Sequence, residues 1–345
     1  MKKGLLLLNL GTPDSTRPED VGRYLKQFLM DKFVIDIAWP LRWFFVNVLI
    51  VPKRKFASGE AYEKIWTKRG SPLLFHLEDL ATEVTKLVKA SPKLEGHQIE
   101  IGMRYGNPSI ESALAKFQAS GVDHVTVFAL YPQYAESSTR SSEEETREAA
   151  RRLGFKGELK FVPAFYEHPA FIQAYAHKIL ETFDREKPDH LLMSFHGLPV
   201  RHMKRVDKSG GKHCMESPNC CDRMTDVNRD CYRAQCFATA RALARELNLK
   251  PEQYTVSFQS RLGRAEWIPP YTDQMYKQLA DRGVKKLAVV CPAFVSDCLE
   301  TLEEIGMRGS EEFRGFGGEA CTQVPCLNSD TLWAKGVVQI AEQTV

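Results

Sequence analysis

Residues 194–199 read Ser-Phe-His-Gly-Leu-Pro, SFHGLP, directly after the apolar run Leu191-Leu192-Met193. A buried strand that ends on a histidine and then turns through Gly and Pro is how an α/β protein presents a reactive side chain, because the sheet fixes its position while the loop keeps it accessible. The same layout stands near the N-terminus, where Leu8-Asn9-Leu10-Gly11-Thr12-Pro13 supplies an apolar strand, one variable position and then Gly-x-Pro. A second echo pairs Gly121-Val122, a strand and Tyr131-Pro132-Gln133-Tyr134 with Gly283-Val284, a strand and Cys291-Pro292-Ala293-Phe294. Strand-like runs at 5–8, 122–130, 191–195, 254–258 and 287–291 alternate with helix-like segments such as 110–119 and 234–247. That alternation predicts an α/β fold with mostly parallel sheets covered by helices. The repeated order of parts predicts two similar Rossmann-like lobes, with a cleft between them lined by strand C-terminal ends. In that arrangement Leu10 stands in the first lobe where His196 stands in the second. The first lobe is expected over residues 1–165 and the second over 166–329, with a last helix in 330–345 packing across both.

Bulk composition excludes several classes. The 345 residues carry 47 basic and 44 acidic side chains, a formal charge of +3, with no basic run interleaved with aromatics. Nucleic acid is therefore not an expected partner. The opening MKKGLLLLNLGTPD imitates a secretion signal, but its apolar run is short and Gly-Thr-Pro-Asp follows where small residues would mark a cleavage site. It reads as a first strand, and the cytoplasm is the expected compartment. Nine cysteines in such a chain point to metal or redox chemistry more than to disulfides.

Three segments carry chemistry. Residues 291–304, CPAFVSDCLETLEE, read as a strand end, a turn and a helix start with Ser296 or Asp297 as N-cap. Glu300 and Glu304 are four apart and share a helical face, with Glu303 beside them. A histidine and a glutamate at neighbouring strand ends form an acid/base pair or two ligands of a divalent metal. Residues 36–56, DIAWPLRWFFVNVLIVPKRKF, hold nine consecutive positions from Trp43 to Val51 without a charge, where a membrane span needs about 20. Trp39, Trp43, Phe44 and Phe45 then serve either as core or as the lip of a pocket for a large flat apolar ligand. Such a lip could rest on a membrane surface, with Lys53, Arg54 and Lys55 near lipid phosphates. Finally, Cys214, Cys220, Cys221, Cys231 and Cys236 fall within a loop-like stretch rich in Gly, Pro, Asn and Asp that lacks C-x-x-C knuckles. Four thiolates from one irregular loop suit an iron–sulfur cluster better than zinc, and unliganded thiols are the third reading. Neighbouring Cys220 and Cys221 would point apart in extended chain, leaving one spare.

Together these stretches resemble ferrochelatase, through LLNLGTP (7–13), GSPL (70–73), MRYGNPSI (103–110), ALYPQY (129–134), SFHGLP (194–199), TVSFQSRLG (255–263) and SDCLETLEE (296–304). The resemblance runs over nearly the whole chain and implies two Rossmann-like lobes without a nucleotide. No G-x-G-x-x-G follows any strand. It implies a lyase that inserts Fe²⁺, its substrate, into protoporphyrin IX to give protohaem. By position, His196 would be the catalytic histidine and metal ligand, Glu300 its partner carboxylate, and Glu304 the next acid on that face. Arg104 and Tyr105 match the family's RY pair on the opposite wall. Arg54, Tyr62 and Ser71 fall where relatives hold the propionates. Leucine at position 10 favours protoporphyrin, because relatives that use coproporphyrin carry tyrosine there. The cysteine-rich segment, 208–236, is an insertion that many relatives lack, and some relatives carry a [2Fe-2S] cluster in such a segment. Four of the five cysteines would bind it, with Cys236 the least secure member. The rival readings are a haem or metal carrier without catalysis and a chelatase for another metal or another ring.

Overall fold

The computed structural model describes residues 2–261, 263 and 265–345; Leu262, in the TVSFQSRLG stretch, lies outside the described residues. The chain divides into two compact units. The first comprises Met1–Tyr131, Glu136–Pro163 and Asn328–Val345, and the second comprises Pro132–Ala135 and Ala164–Leu327.

The first unit is built on β1 (Lys2–Thr12), with Leu5, Leu6, Leu7 and Leu8 all fully buried. A strand that buries both faces must be covered on both, and each buried Leu contributes about 1.5–3 kcal/mol. Helices α1 (Pro18–Leu29), α2 (Trp39–Phe44), α3 (Val51–Ile65) and α4 (Pro72–Val88) lead to β2 (Gln98–Gly106). Then α5 (Ile110–Ala119), β3 (Val122–Ala129), α6 (Ser141–Leu153) and β4 (Glu158–Phe161) complete a parallel sheet in the order β2-β1-β3-β4. Leu6 and Leu8 pack with Leu114, Phe117, Val125, Val127 and Ala149 on one face, while α4 lies against β1 and β2. Between α2 and α3 the chain runs as a π-helical turn, Phe45–Ile50.

The second unit repeats that plan. Helix α7 (Pro169–Glu186) precedes β5 (His190–His196), followed by α8 (Val200–Arg205), α9 (Tyr232–Glu246), β6 (Tyr254–Gln259), α10 (Thr272–Asp281) and β7 (Lys286–Val290). A π-helix over Glu300–Gly309, α11 (Ser310–Gly315) and β8 (Ala320–Gln323) follow, and the parallel sheet runs β6-β5-β7-β8. Each sheet thus places its first strand second, with the next strand on one side and the third on the other. The LGTP and HGLP turns occupy equivalent places. A Cβ on Gly11 would lie 1.8 Å from the Tyr105 carbonyl oxygen, and one on Gly197 would lie 2.7 Å from that of Gln259. Both glycines let the turn close on the neighbouring strand. The last helix, α12 (Thr331–Ala341), expected across both lobes, packs on α4 in the first unit.

Candidate active site

In a parallel sheet, ligands collect beyond the strand C-termini, and the second unit gathers its chemistry there. His196 closes β5, a strand otherwise fully buried, and is itself half-buried. Its Nδ1 lies 2.6 Å from the Gly197 carbonyl oxygen. A carbonyl only accepts, so in the neutral ring Nδ1 carries the proton and Nε2 keeps its lone pair. Phe294, on the turn after β7, packs edge-on against the imidazole.

Glu300 and Glu304 stand on the helix that follows β7. That helix has π rather than α geometry over Glu300–Gly309, and Leu299 is its N-cap residue, so Ser296 and Asp297 are not its N-caps. Asp297 accepts instead from Thr301 Oγ1, Gln323 Nε2 and the Cys326 N–H. Glu303 is buried and held by Arg308 Nε at 3.1 Å, so it does not join the other two acids. Burial raises the pKa of the Glu304 carboxyl. Hydrogen bonds from Ser260 and the proximity of the His196 imidazole oppose that shift, and the Glu300 carboxylate adds to it. Glu304 therefore lies within electrostatic reach of both His196 and Glu300. Gln259 ties the group to the sheet: its Nε2 donates to the Glu300 carbonyl, and its Oε1 accepts from Ser194 Oγ. The buried Cys298 thiol donates to the Glu300 carboxylate. Gln259, Ser260 and Cys298 lie within stretches singled out in the sequence, although none had been assigned a role.

In the first unit, Leu10 is partly buried one position before Gly11. Arg104 and Tyr105, at the end of β2, converge on Asp31: Arg104 Nη2 and Tyr105 Oη both donate to Asp31 Oδ2, at 2.6 and 2.7 Å, and Ser141 Oγ donates to the same oxygen. Burial pushes the Tyr105 phenol well above its ordinary pKa, so it remains a donor. A cavity of about 430 Å³ opens beside Arg104, and its remaining charges, Arg152, Glu111 and Glu145, are paired with one another. Arg54 is exposed on α3. Tyr62 is buried and meets Tyr24 and Trp66 edge-on, and Ser71 is buried and accepts from Thr12 Oγ1 at 2.8 Å.

The aromatic segment is not core. Trp39 is 60% exposed, and Leu41, Trp43, Phe44, Phe45, Leu49 and Phe56 are exposed with it. Among the described residues no helix is long and apolar enough to cross a membrane.

The cysteine segment has turns in place of regular elements from 207 to 231, and polar side chains organise it. Asp207 accepts from the N–H and Oγ of Ser209 on one oxygen and from the N–H groups of His213 and Cys214 on the other. Asn228, fully buried, donates to the Cys220 and Arg223 carbonyls. Cys214, Cys220, Cys221, Cys231 and Cys236 are all buried. Cys220 Sγ lies 3.7 Å from Cys221 Sγ, because the chain turns there and adjacent side chains meet; the expectation that they diverge was wrong. Cys221 is hydrogen-bonded in turn to Cys231, and Cys231 to Cys214, all as free thiols. Arg233 Nη1 donates to Cys221 Sγ at 3.1 Å. Cys236, on α9, is hydrogen-bonded to Tyr232. Among the described residues no three His, Cys, Asp or Glu side chains surround a single-ion position.

Among solved structures, SirB from Bacillus subtilis with Fe³⁺ matches with a TM-score of 0.55 at 12% identity, over 99% of this chain and 95% of that one. CbiX, the terminal enzyme for biosynthesis of sirohaem in denitrifying bacteria, matches at 0.50 and 11%, over 99% of each chain. At these identities the likeness is one of fold. In sequence the chain is 46% identical to the ferrochelatase of Azotobacter vinelandii, over 97% of both chains. It is 45% identical to that of Stutzerimonas stutzeri, over 99% of this chain and 98% of that one, and 42% identical to that of Bdellovibrio bacteriovorus, over 99% of both. The ferrochelatase family profile matches residues 2–345, and the chain belongs to the ferrochelatase family.

Proposed function

We propose that this chain, an iron-inserting enzyme of the ferrochelatase family, converts protoporphyrin IX and Fe²⁺ to protohaem and two protons, with His196 and Glu300 at the reacting centre. The observation that carries this reading is that the Glu304 carboxyl lies within electrostatic reach of both the His196 imidazole, at the end of β5, and the Glu300 carboxylate, on the helix after β7. Metal insertion removes two pyrrole N–H protons. Nε2 of His196 accepts one proton at a time or ligates the incoming ion, and Glu300 supplies the negative charge that lowers the cost of stripping water from Fe²⁺. Glu304, whose proton affinity burial raises, takes protons onward. Leu10 offers the ring an apolar contact, which favours protoporphyrin. Arg104 and Tyr105 would form a second contact with the ring, and Arg54, Tyr62 and Ser71 would receive its propionates.

The thiols of Cys220, Cys221, Cys231 and Cys214 follow one another in contact, so four sulfurs gather in one buried group. Such a group would serve the two irons of a [2Fe-2S] cluster, with two thiolates each. The Arg233 guanidinium would offset part of the cluster's negative charge. When bound, the cluster would supply covalent order to a loop with little core of its own. Cys236, bonded to Tyr232 on α9, is the member left out. We place the enzyme in the cytoplasm, in peripheral contact with a membrane through the exposed residues of 37–56.

Anaerobic assays with protoporphyrin IX and coproporphyrin test the substrate: many turnovers with the first support the proposal, and a single turnover identifies a carrier. Visible charge-transfer bands lost in Cys214→Ser and kept in Cys236→Ser support the cluster; a colourless protein holding zinc contradicts it.

A further inference from the structure

Beyond the histidine and the acids, the backbone at the end of β6 is unusual. Ser260 directly follows the strand and has φ +67°, a left-handed conformation in which glycine is relaxed and serine is not. Its neighbours hold it there. On one side Gln259 is fixed by Ser194 and by the Glu300 carbonyl. On the other the Arg261 guanidinium lies 4.0 Å over the Tyr271 ring and pairs with Asp273. The consequence falls on a single carboxylate. The Ser260 N–H donates to Glu304 Oε1 at 2.9 Å, and its hydroxyl donates to Oε2 at 2.5 Å.

We propose that Ser260 is a positioning residue for iron insertion, held in a left-handed conformation so that its two donors grip both oxygens of Glu304. The inference rests on the reading of His196, Glu300 and Glu304 as the metal-insertion site. A carboxylate on a glutamate stem has three rotatable bonds, and two donors from one residue fix both its plane and its place. Each oxygen keeps a further lone pair for a divalent cation or a proton. The strain at 260 is thus tied to one function: a glycine would satisfy the backbone and still offer the N–H, and only the side chain supplies the second donor.

That difference defines the test. Ser260→Gly and Ser260→Ala both keep the N–H and lose the hydroxyl, but glycine relaxes the backbone while alanine remains strained. In the full-length protein, thermal midpoints, porphyrin affinity by fluorescence quenching, and steady-state insertion of Zn²⁺ into protoporphyrin IX are measured for both variants, with Glu304→Gln in parallel. Ser260→Gly is expected to melt at or above the wild-type midpoint and Ser260→Ala at or below it. Both should lose about tenfold in kcat/KM for the metal, about 1.4 kcal/mol, with porphyrin affinity unchanged. If Ser260→Gly inserts metal at the wild-type rate while Glu304→Gln is impaired, the positioning role is wrong and the reading of Glu304 stands. If Glu304→Gln itself performs as wild type, both fail. A loss of activity that follows the melting temperature, present in alanine and absent in glycine, would also overturn the proposal.

Discussion

Asn in place of Asp207 removes the charge at the centre of the cysteine segment. The carboxylate accepts four hydrogen bonds, at 2.8 and 2.6 Å on one oxygen and at 3.0 and 2.8 Å on the other. An amide keeps one oxygen and turns an NH₂ group toward the other pair of donors, so at least two of the four bonds are lost. Hydrogen bonds to a charged group contribute about 1.5–3 kcal/mol each, which gives a loss of about 3 kcal/mol or more. The loop spanning 207–231 has little regular structure to absorb that loss, so the cost should appear as local opening rather than as global unfolding. A change of about 3 kcal/mol corresponds to a roughly hundredfold greater open population. Hydrogen exchange followed by mass spectrometry reads it directly: amides of the loop, including those of His213 and Cys214, should exchange about a hundred times faster in Asp207→Asn, while those of β5 and β7 keep their wild-type rates. Equal protection in the loop would show that Asp207 does not organise it.

Two other expectations concern the sheets. His190, buried at the start of β5 with Nε2 2.9 Å from Thr255 Oγ1, has a pKa lowered by burial, with help from the Arg282 charge, from 6.5 to about 4. The unfolded chain binds a proton in that window and the folded one does not, so His190 destabilises the fold as pH falls from about 6.5 toward 4, by up to about 3 kcal/mol. Urea unfolding at pH 7.5 and pH 5 should show a smaller acid loss in His190→Gln than in wild type; identical losses would refute the assignment. Gly11, at φ +118° against the Tyr105 carbonyl, should tolerate no side chain: Gly11→Ala is expected to cost more than about 4 kcal/mol and to leave little folded protein. Gly197→Ala, where the clash is milder, should fold with a lowered urea midpoint. A wild-type midpoint for Gly11→Ala would contradict the close turn.

The strands that could be read from sequence were β1, β3, β5 and β7, whose apolar runs lie inside their sheets and are buried on both faces, and β6, an edge strand whose last four residues, Val256–Gln259, are buried. The unread strands, β2, β4 and β8, are edges. β2 is partly exposed along QIEIG, and the other two have four residues each, too few to set a period. The repeat of Gly-x-Pro turns was legible because the turn chemistry is local. At the site, His196 and the two acids stood out by type and spacing. Ser260 did not, because a serine at positive φ has no sequence mark. Nor did the pairing of Arg104 with Asp31, which joins residues far apart in sequence. The π geometry of 300–309 was hidden for a similar reason: its residues form a helical pattern of either kind, and Glu303 turned to Arg308 instead of joining the other acids.

The most direct measurement follows His196→Ala through two steps, protoporphyrin binding by fluorescence quenching and Fe²⁺ insertion by the anaerobic appearance of the haem Soret band. Wild-type porphyrin affinity is expected, with insertion lost by at least about a hundredfold. Insertion at the wild-type rate, or loss of porphyrin binding alone with turnover restored at saturating porphyrin, would contradict a proton-accepting or metal-binding imidazole at the end of β5.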